Sequence, residues 1–474
     1  MKKGGKSYFL LAVILFLGFL IRLIALNQSL WLDEATTAKV VQNYSLISII
    51  TKFSPTDFHP PLYYLFMKLW TNVFGVSEIA LRMPSVLFSV LTGWVIFLIG
   101  RKLKDDRMGL FAATFFIFNP LIVYYSQEAR MYSLVVLFLT IALYFYFEFL
   151  ADSVRDFLPA NAPPIKTGDA RCREPFLLCH LLKINFFLIL SFYTFYGSIF
   201  LIAAFFLYFL IKKQYKFFLI SCLIFLISLL VIFPLLLKQL SNSRQALQAV
   251  ANWRQVLGPA SIKNLTLIFI KFSFGRISFY PKKIYYLISG VWTAVIFLFV
   301  AKGVIRNRFL GLLFIFPIFL GIIFSFWSPL LQYFRFLYLI PILSILLVFG
   351  LSNKANSNLL GSILVLGGFV ALSMIYIVNP NFHREDWKSL VVSLSINKKV
   401  YMIKSSSDPL LYYNKNIEIA DLKSIEKINE SNILVIPYTA DIHGVNYQKE
   451  LANQGFYLQQ KKSFRELTLE YWGK

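Results

Sequence analysis

The sequence predicts an all-α polytopic membrane protein of about eleven transmembrane helices, with interfacial helices in its first outer loop and a small α/β domain at its C-terminus. Three observations lead there. Of 474 residues, 58% are hydrophobic and 15% charged, with a mean hydropathy of +0.66; a soluble domain is nearer half apolar and a quarter charged. The apolar residues gather into runs close to the ~20 residues that a helix needs to cross a bilayer. Beyond residue 380 the runs shorten to VYMI (400–403) and ILVIPY (433–438), separated by polar stretches such as Tyr447–Asn453, the pattern of a small mixed domain of about four strands. The expected division is a membrane domain over 1–379 and a soluble extracytoplasmic domain over 380–474.

Taken in order, the candidate spans are residues 7–26, 83–100, 108–124, 132–150, 184–198, 199–211, 216–233, 284–301, 308–325, 334–350 and 357–378. The first follows a basic hexapeptide, as in a signal peptide, but it is long and lacks a small-x-small cleavage site, so it reads as a retained helix. MKKGGK, RKLKDDR (101–107), the Arg155–Lys183 loop, KKQYK (212–216), AKGVIRNR (301–308) and SNK (352–354) are basic and fall on one side. That side is the cytoplasm by the positive-inside rule, which also accounts for the net charge of +24 without nucleic acid. The N-terminus is then cytoplasmic. Residues 27–82, 119–131, 193–198, 234–283, 327–332 and the C-terminal domain face outside the cell membrane. Segment 152–176 reads as a mobile cytoplasmic loop, and no internal repeat suggests the halves of a transporter.

The outer loops hold the chemistry. WLDEA (31–35) carries the adjacent carboxylates Asp33 and Glu34 just beyond the first span. One of them could take a proton from an acceptor hydroxyl or amine, or the pair could only complement the positive end of a helix starting near Ala35. Asp57 and His59 precede Pro60 and Pro61; with Asp33 they could hold a divalent cation, or His59 could simply pack at the interface. The prolines fix the entry to the amphipathic stretch Leu62–Trp70, read as an interfacial helix or a buried one. Arg82, Arg130 and Arg335 stand near outer helix ends, where a phosphate suits a guanidinium and a bridge to Glu78 or Glu128 is the alternative. Cys172, Cys179 and His180 lie on the cytoplasmic side without Cys-x-x-Cys spacing and are read as structural. No Walker loop or dinucleotide glycine fingerprint is present.

WLDEA, HPPLYYLFMKLW (59–70), ALRMPS (80–85), YSQEARMYSL (125–134), FRFLYLIPIL (334–343) and REDWK (384–388), in that order, resemble the glycosyltransferase family 39 proteins of the GT-C superfamily, relatives of protein O-mannosyltransferases and of the aminoarabinose transferases of lipid A. The resemblance runs through essentially the whole chain. It implies a membrane glycosyltransferase moving a sugar from a polyprenyl-phosphate-sugar donor to a glycan, lipid or protein acceptor on the outer face, with inversion. It implies Asp33 as the base and Glu34 as its neighbour. His59 would border the donor and a divalent metal ion, Gln127, Glu128, Arg130 and Tyr132 would line the cavity near the lipid phosphate, and Arg335 would lie by that phosphate; no nucleotide is needed at the active site. Aminoarabinose transferases have a lysine where His59 stands, which argues against lipid A as the acceptor. Two other functions compete. A transporter or flippase of lipid-linked glycans calls for polar residues at mid-span, and a scaffold leaves the clustering of Asp33, Asp57, His59, Glu128 and Arg130 without a purpose.

Overall fold

The computed structural model describes residues 3–154, 170–352, 359–394 and 399–474. The α-helices of six or more residues are numbered in chain order. The first seven are α1 (Lys3–Leu23), α2 (Leu32–Asn43), α3 (Leu62–Phe74), α4 (Glu78–Leu103), α5 (Asp106–Ile117), α6 (Pro120–Ser126) and α7 (Tyr132–Val154). Next come α8 (Ala170–Thr194), α9 (Ile199–Ile211), α10 (Tyr215–Ala249), α11 (Ile262–Phe274), α12 (Lys282–Arg306), α13 (Arg308–Phe324), α14 (Ile340–Leu351) and α15 (Leu359–Val378). The short α16 (Trp387–Val392), α17 (Asp408–Tyr413) and α18 (Tyr447–Asn453) accompany the C-terminal sheet. Among the described residues eight helices are long and apolar enough to cross a membrane, one of them Tyr333–Leu351, in which the short helix Tyr333–Leu339 runs into α14, or nine if the bent pair α5 and α6 is one span; Tyr196–Ile211 and α13 are shorter apolar helices. The protein is a multi-pass membrane protein.

Several boundaries differ from the sequence expectation, among them α10, which runs to Ala249 rather than 233. α4 starts at Glu78 rather than 83, because Ser77 caps it by accepting the Ala80 N–H at 3.3 Å, so Arg82 lies in the first turns of a span. α8 is already helical at Ala170, inside what read as a loop over 152–176; residues 155–169 of that loop, and the Cys172 side chain, lie outside the described residues. The 119–131 segment, expected as an outer turn, is buried throughout. There α5 and α6 meet at 61°, and Asn119 caps α6 while donating to the Phe272 carbonyl at 2.8 Å.

α3 is amphipathic in the manner expected: Tyr63, Tyr64, Met67 and Thr71 are buried, and Leu69, Val73 and Phe74 exposed. Elsewhere α12 and α14 cross at close range, since Gly303 and Gly350 present no side chain to the backbone opposite.

The C-terminal sheet has five strands rather than four: β1 (Val400–Met402), β2 (Ile419–Asp421), β3 (Asn432–Val435), β4 (Tyr457–Phe464) and β5 (Leu467–Gly473), in the order β2-β1-β3-β5-β4. The first three are parallel, and β5 and β4 complete the sheet antiparallel. β4 escapes a hydrophobic-pattern reading because it is an exposed edge strand, YLQQKKSF, whose lysines guard the edge against further pairing.

The sheet packs on α2 through α17. Asp408 accepts from the Thr36 hydroxyl at 2.9 Å and from Lys39 at 2.8 Å. Tyr413 accepts the Leu30 N–H at 2.9 Å and donates to Glu78 at 3.1 Å, while Lys388 reaches Glu78 at 2.8 Å.

Candidate active site

Adjacent helical residues point about 100° apart, and this separates the two carboxylates of WLDEA. Glu34 turns inward and is fully buried. It accepts from Arg82 through both oxygens, at 2.8 and 2.5 Å, and from the Ala129 N–H at 2.7 Å. Arg82 spends its remaining donors on the carbonyls of Leu26, Gln28 and Ser29, at 2.9, 2.6 and 3.0 Å. With every acceptor and donor filled by protein, neither side chain is placed to meet a substrate. The roles expected of Glu34 beside the base and of Arg82 on phosphate give way to a clamp that fixes the start of α2 against 26–29 and 129. Asp33 turns the other way. Its side chain is 38% exposed, and its ion-pair partner is Arg130 at 3.4 Å.

The buried 127–131 segment is held by side chains where a helix would use its own backbone. Ser85 donates to the Glu128 carbonyl at 2.6 Å, Glu34 takes the Ala129 N–H, and the Thr37 hydroxyl approaches the Ala129 carbonyl at 3.4 Å. Gln127 donates to the carbonyls of Arg22 and Ile24, at 2.9 and 2.7 Å, so it pins the end of α1 rather than lining the donor cavity as expected. Glu128 accepts from Arg384 twice through Oε1, at 3.0 and 2.6 Å, with Arg276 at 4.0 Å from the same oxygen. Arg384 also stacks on the Trp31 ring at 3.8 Å, and Arg276 lies over Tyr124 and donates to its hydroxyl.

Arg130 and Tyr132 face the same space. The charges of Asp33 and Asp57 overcome the cost of burial and hold the Arg130 guanidinium firmly protonated. The Arg335 guanidinium makes a single hydrogen bond among the described residues, to the Pro329 carbonyl at 3.1 Å, and lies over Phe334. A small gap of about 10 Å³, room for about one water molecule, lies between Ser89, Phe116, Ile122, Tyr125, Tyr132, Ser133, Val136 and Leu337.

Asp57 and His59 are carried on a loop bolted to α10. Gln239 donates to the carbonyls of Ser54 and His59, at 2.7 and 2.8 Å, and Asn242 donates to that of Pro55. Asp57 Oδ2 and His59 Nδ1 are 3.5 Å apart, longer than a good hydrogen bond. Burial would raise the Asp57 carboxyl, but His59, with Arg130 beyond it, holds it below the ordinary value.

Asp33 does not join this pair in a three-residue set of metal-ligand types. Among the described residues no group of three His, Cys, Asp or Glu side chains converges. Arg130, whose charge both Asp33 and Asp57 feel, supplies the cation they share.

Among the described residues, buried polar atoms without a hydrogen-bond partner concentrate here: Trp31 Nε1, Asp57 Oδ2, Tyr63 OH, Glu128 Oε2, Arg130 Nε and Glu385 Oε2. Folded proteins rarely leave such atoms unpaired, so the region is built to receive water or a polar ligand. Arg276, Arg384, Trp31 and Tyr124 had no site role in the sequence reading. REDWK was visible as a motif, but only the fold shows that its arginine meets Glu128, 256 positions away.

Residues 58–162 match the sequence profile of the dolichyl-phosphate-mannose-protein mannosyltransferase family. The whole chain superposes on ArnT from Cupriavidus metallidurans, with TM-scores of 0.55 for the apo state and 0.57 with undecaprenyl phosphate bound. The identities are 12% and 13%, and each alignment covers 99% of this chain and 98% of the other. The chain has the GT-C fold. A second GT-C structure, the archaeal oligosaccharyltransferase AglB from Archaeoglobus fulgidus in complex with an inhibitory peptide and a dolichol-phosphate, aligns at a TM-score of 0.54 and 11% identity, over 87% of this chain and 64% of its own. No curated protein matches the sequence. The polar cluster described above thus belongs to a GT-C membrane scaffold, with the C-terminal sheet packed over it.

Proposed function

We propose that the protein is a glycosyltransferase that moves a sugar from a polyprenyl-phosphate donor to an acceptor at the extracytoplasmic face, with Asp33 as general base. The observation that carries this reading is the division of labour among the carboxylates. Glu34 and Glu128 are locked on arginines, while Asp33 keeps an open face beside Arg130, at the edge of a cluster that includes Arg276, Arg335 and Arg384.

As the acceptor oxygen or nitrogen bonds to the anomeric carbon, Asp33 takes its proton. The carbon–oxygen bond to phosphate breaks on the opposite side, with inversion, and the pair leaves as polyprenyl phosphate. Fixed guanidinium groups meet the charge that develops on that phosphate. Arg276, Arg335 and Arg384 are assigned this task, Arg335 having donors to spare. Arg130 orients Asp33, and His59 borders the donor. The sugar arrives on the lipid, so no nucleotide is needed. The profile match, and the structural neighbour solved with undecaprenyl phosphate, support the choice of donor. The basic loops support a cytoplasmic N-terminus and an extracytoplasmic 380–474.

The test is cleavage of a panel of polyprenyl-phosphate sugars by purified wild type and Asp33→Asn in lipid. Release of polyprenyl phosphate by wild type alone is expected. Binding of lipid-linked glycan without cleavage by either protein would put the transport reading first.

A further inference from the structure

The helix that carries Asp33 is held on two flanks, and only one of them belongs to the membrane spans. At about 100° per residue, Glu34 points roughly 100° to one side of Asp33 around α2 and Thr36 about 60° to the other, so the two flanking contacts lie nearly opposite each other across the helix. The Glu34 flank is the clamp on Arg82 and the Ala129 N–H. The Thr36 flank meets the C-terminal domain. Asp408 Oδ2 accepts from the Thr36 hydroxyl at 2.9 Å, and Oδ1 accepts from Lys39, a turn further on, at 2.8 Å. The step proposed above gives this second flank no part.

α17 itself is firmly rooted. Its Leu410 is fully buried in the core of the C-terminal sheet, in one cluster with Val400 and Met402 of β1 and Leu434 of β3. At the far end of α17, Tyr413 accepts the Leu30 N–H at 2.9 Å, just ahead of WLDEA, and donates to Glu78 at 3.1 Å, while Tyr412 donates to the Val76 carbonyl at 2.7 Å. One short helix anchored in the sheet therefore holds the residue before WLDEA, the turn after Asp33 and the start of α4. The Asp408 side chain is only 10% exposed, so its contact with Thr36 is made largely out of water.

Together the two flanks fix the roll of α2 about its axis. A helix held at Glu34 alone turns about that clamp, and a carboxylate about 5 Å from the axis shifts by roughly 1 Å for about 10° of turn. Arg130, the ion-pair partner of Asp33 at 3.4 Å, does not follow, because it sits on the segment that Ser85 of α4 and Glu34 at the pivot hold in place. A displacement of about 1 Å at a reacting group costs on the order of a hundredfold in rate. Resting on the function proposed above, we propose that the C-terminal domain sets the position of the general base, with Asp408 and Thr36 as positioning residues for Asp33. The domain reaches the chemistry through α17 and α2, and neither positioning residue touches the substrate.

The experiment measures release of polyprenyl phosphate by the full chain in lipid, at several concentrations of a donor that wild type cleaves. In Thr36→Val and in Asp408→Ala, kcat should fall about tenfold to a hundredfold, while the KM for donor holds and melting stays within about 2 °C of wild type. Thr36→Ser, which keeps the hydroxyl, should keep the wild-type kcat. The double variant, Thr36→Val with Asp408→Ala, should be no slower than the slower single one, since both break the same joint. An unchanged kcat in both single variants would overturn the assignment. So would a donor KM that rises in step with the loss of kcat, a loss that tracks melting, Thr36→Ser as slow as Thr36→Val, or losses that multiply in the double variant. If wild type cleaves no donor at all, the transferase reading itself fails and this assignment falls with it, an outcome distinct from the others, in all of which wild type is active.

Discussion

Removing Arg82 tests the clamp that separates Glu34 from Asp33. In Arg82→Leu the Glu34 carboxylate remains fully buried with only N–H groups to satisfy it, and the carbonyls of Leu26, Gln28 and Ser29 lose the guanidinium. Breaking one side of a buried ion pair costs about 3–5 kcal/mol, and each orphaned carbonyl adds about 1 kcal/mol or more. The sum is at least about 5 kcal/mol, comparable with the whole stability of many proteins. At about 2 °C per kcal/mol, melting in detergent should fall by roughly 10 °C or more. Replacing both partners, Arg82→Leu with Glu34→Leu, removes the stranded charge and should recover part of the loss, leaving the carbonyl share. The assay is thermal loss of the monodisperse peak on size exclusion, run beside donor cleavage. If Arg82→Leu melts within about two degrees of wild type while Glu34→Gln is stable but inactive, the clamp is wrong and Glu34 acts directly in the reaction.

Other outcomes follow from the same geometry. Asp33→Asn, at a half-open position with one 3.4 Å ion pair, should melt within a degree or two of wild type while losing donor cleavage by at least about a hundredfold, the usual worth of a general base; a large stability loss would make Asp33 structural. Asp408→Ala removes the acceptor for Thr36 and Lys39, but Lys39 is half exposed, so only about 1 kcal/mol or less should be lost, read as a small melting shift together with faster proteolysis of the C-terminal domain. Lys271, in α11, is pushed down to about 7 by burial and then by Arg276 and Lys282. Its folded value lies below the unfolded 10.5, so its penalty is full below pH 7 and disappears as pH rises to about 10.5. Lys271→Met should therefore melt higher than wild type near pH 7, with the gap closing towards pH 10; a gap that widens with pH would refute the sign. For orientation, a cysteine at the exposed Asn446 should react with an impermeant reagent on intact cells and one at Lys104 only after permeabilisation, in a background without native cysteines. The opposite pattern would invert the topology.

Much of the architecture was legible in the chain. Spans declare themselves because a bilayer imposes a length and an apolar composition on each helix separately. The division of the tail into short strands and polar helices follows for the same reason, each element carrying its own period. β4 went unread because an exposed edge strand has no apolar period to show, and α8 was shortened because its first turns are polar. In the site, the sequence marked Asp33, Asp57, His59, Glu128 and Arg130, all of them ionisable groups near helix ends.

By itself the sequence determined that this is a multi-pass membrane protein and which segments hold its ionisable residues, since hydropathy and period are local properties. Only the tertiary structure decided which of two adjacent carboxylates stays open, that Arg82 is consumed by Glu34, and that Arg384 comes from the far end of the chain to stack on Trp31 of WLDEA. Those outcomes depend on helix phase and on contacts across hundreds of residues. A buried charge is settled by whichever partner the fold delivers, and no local pattern records that partner.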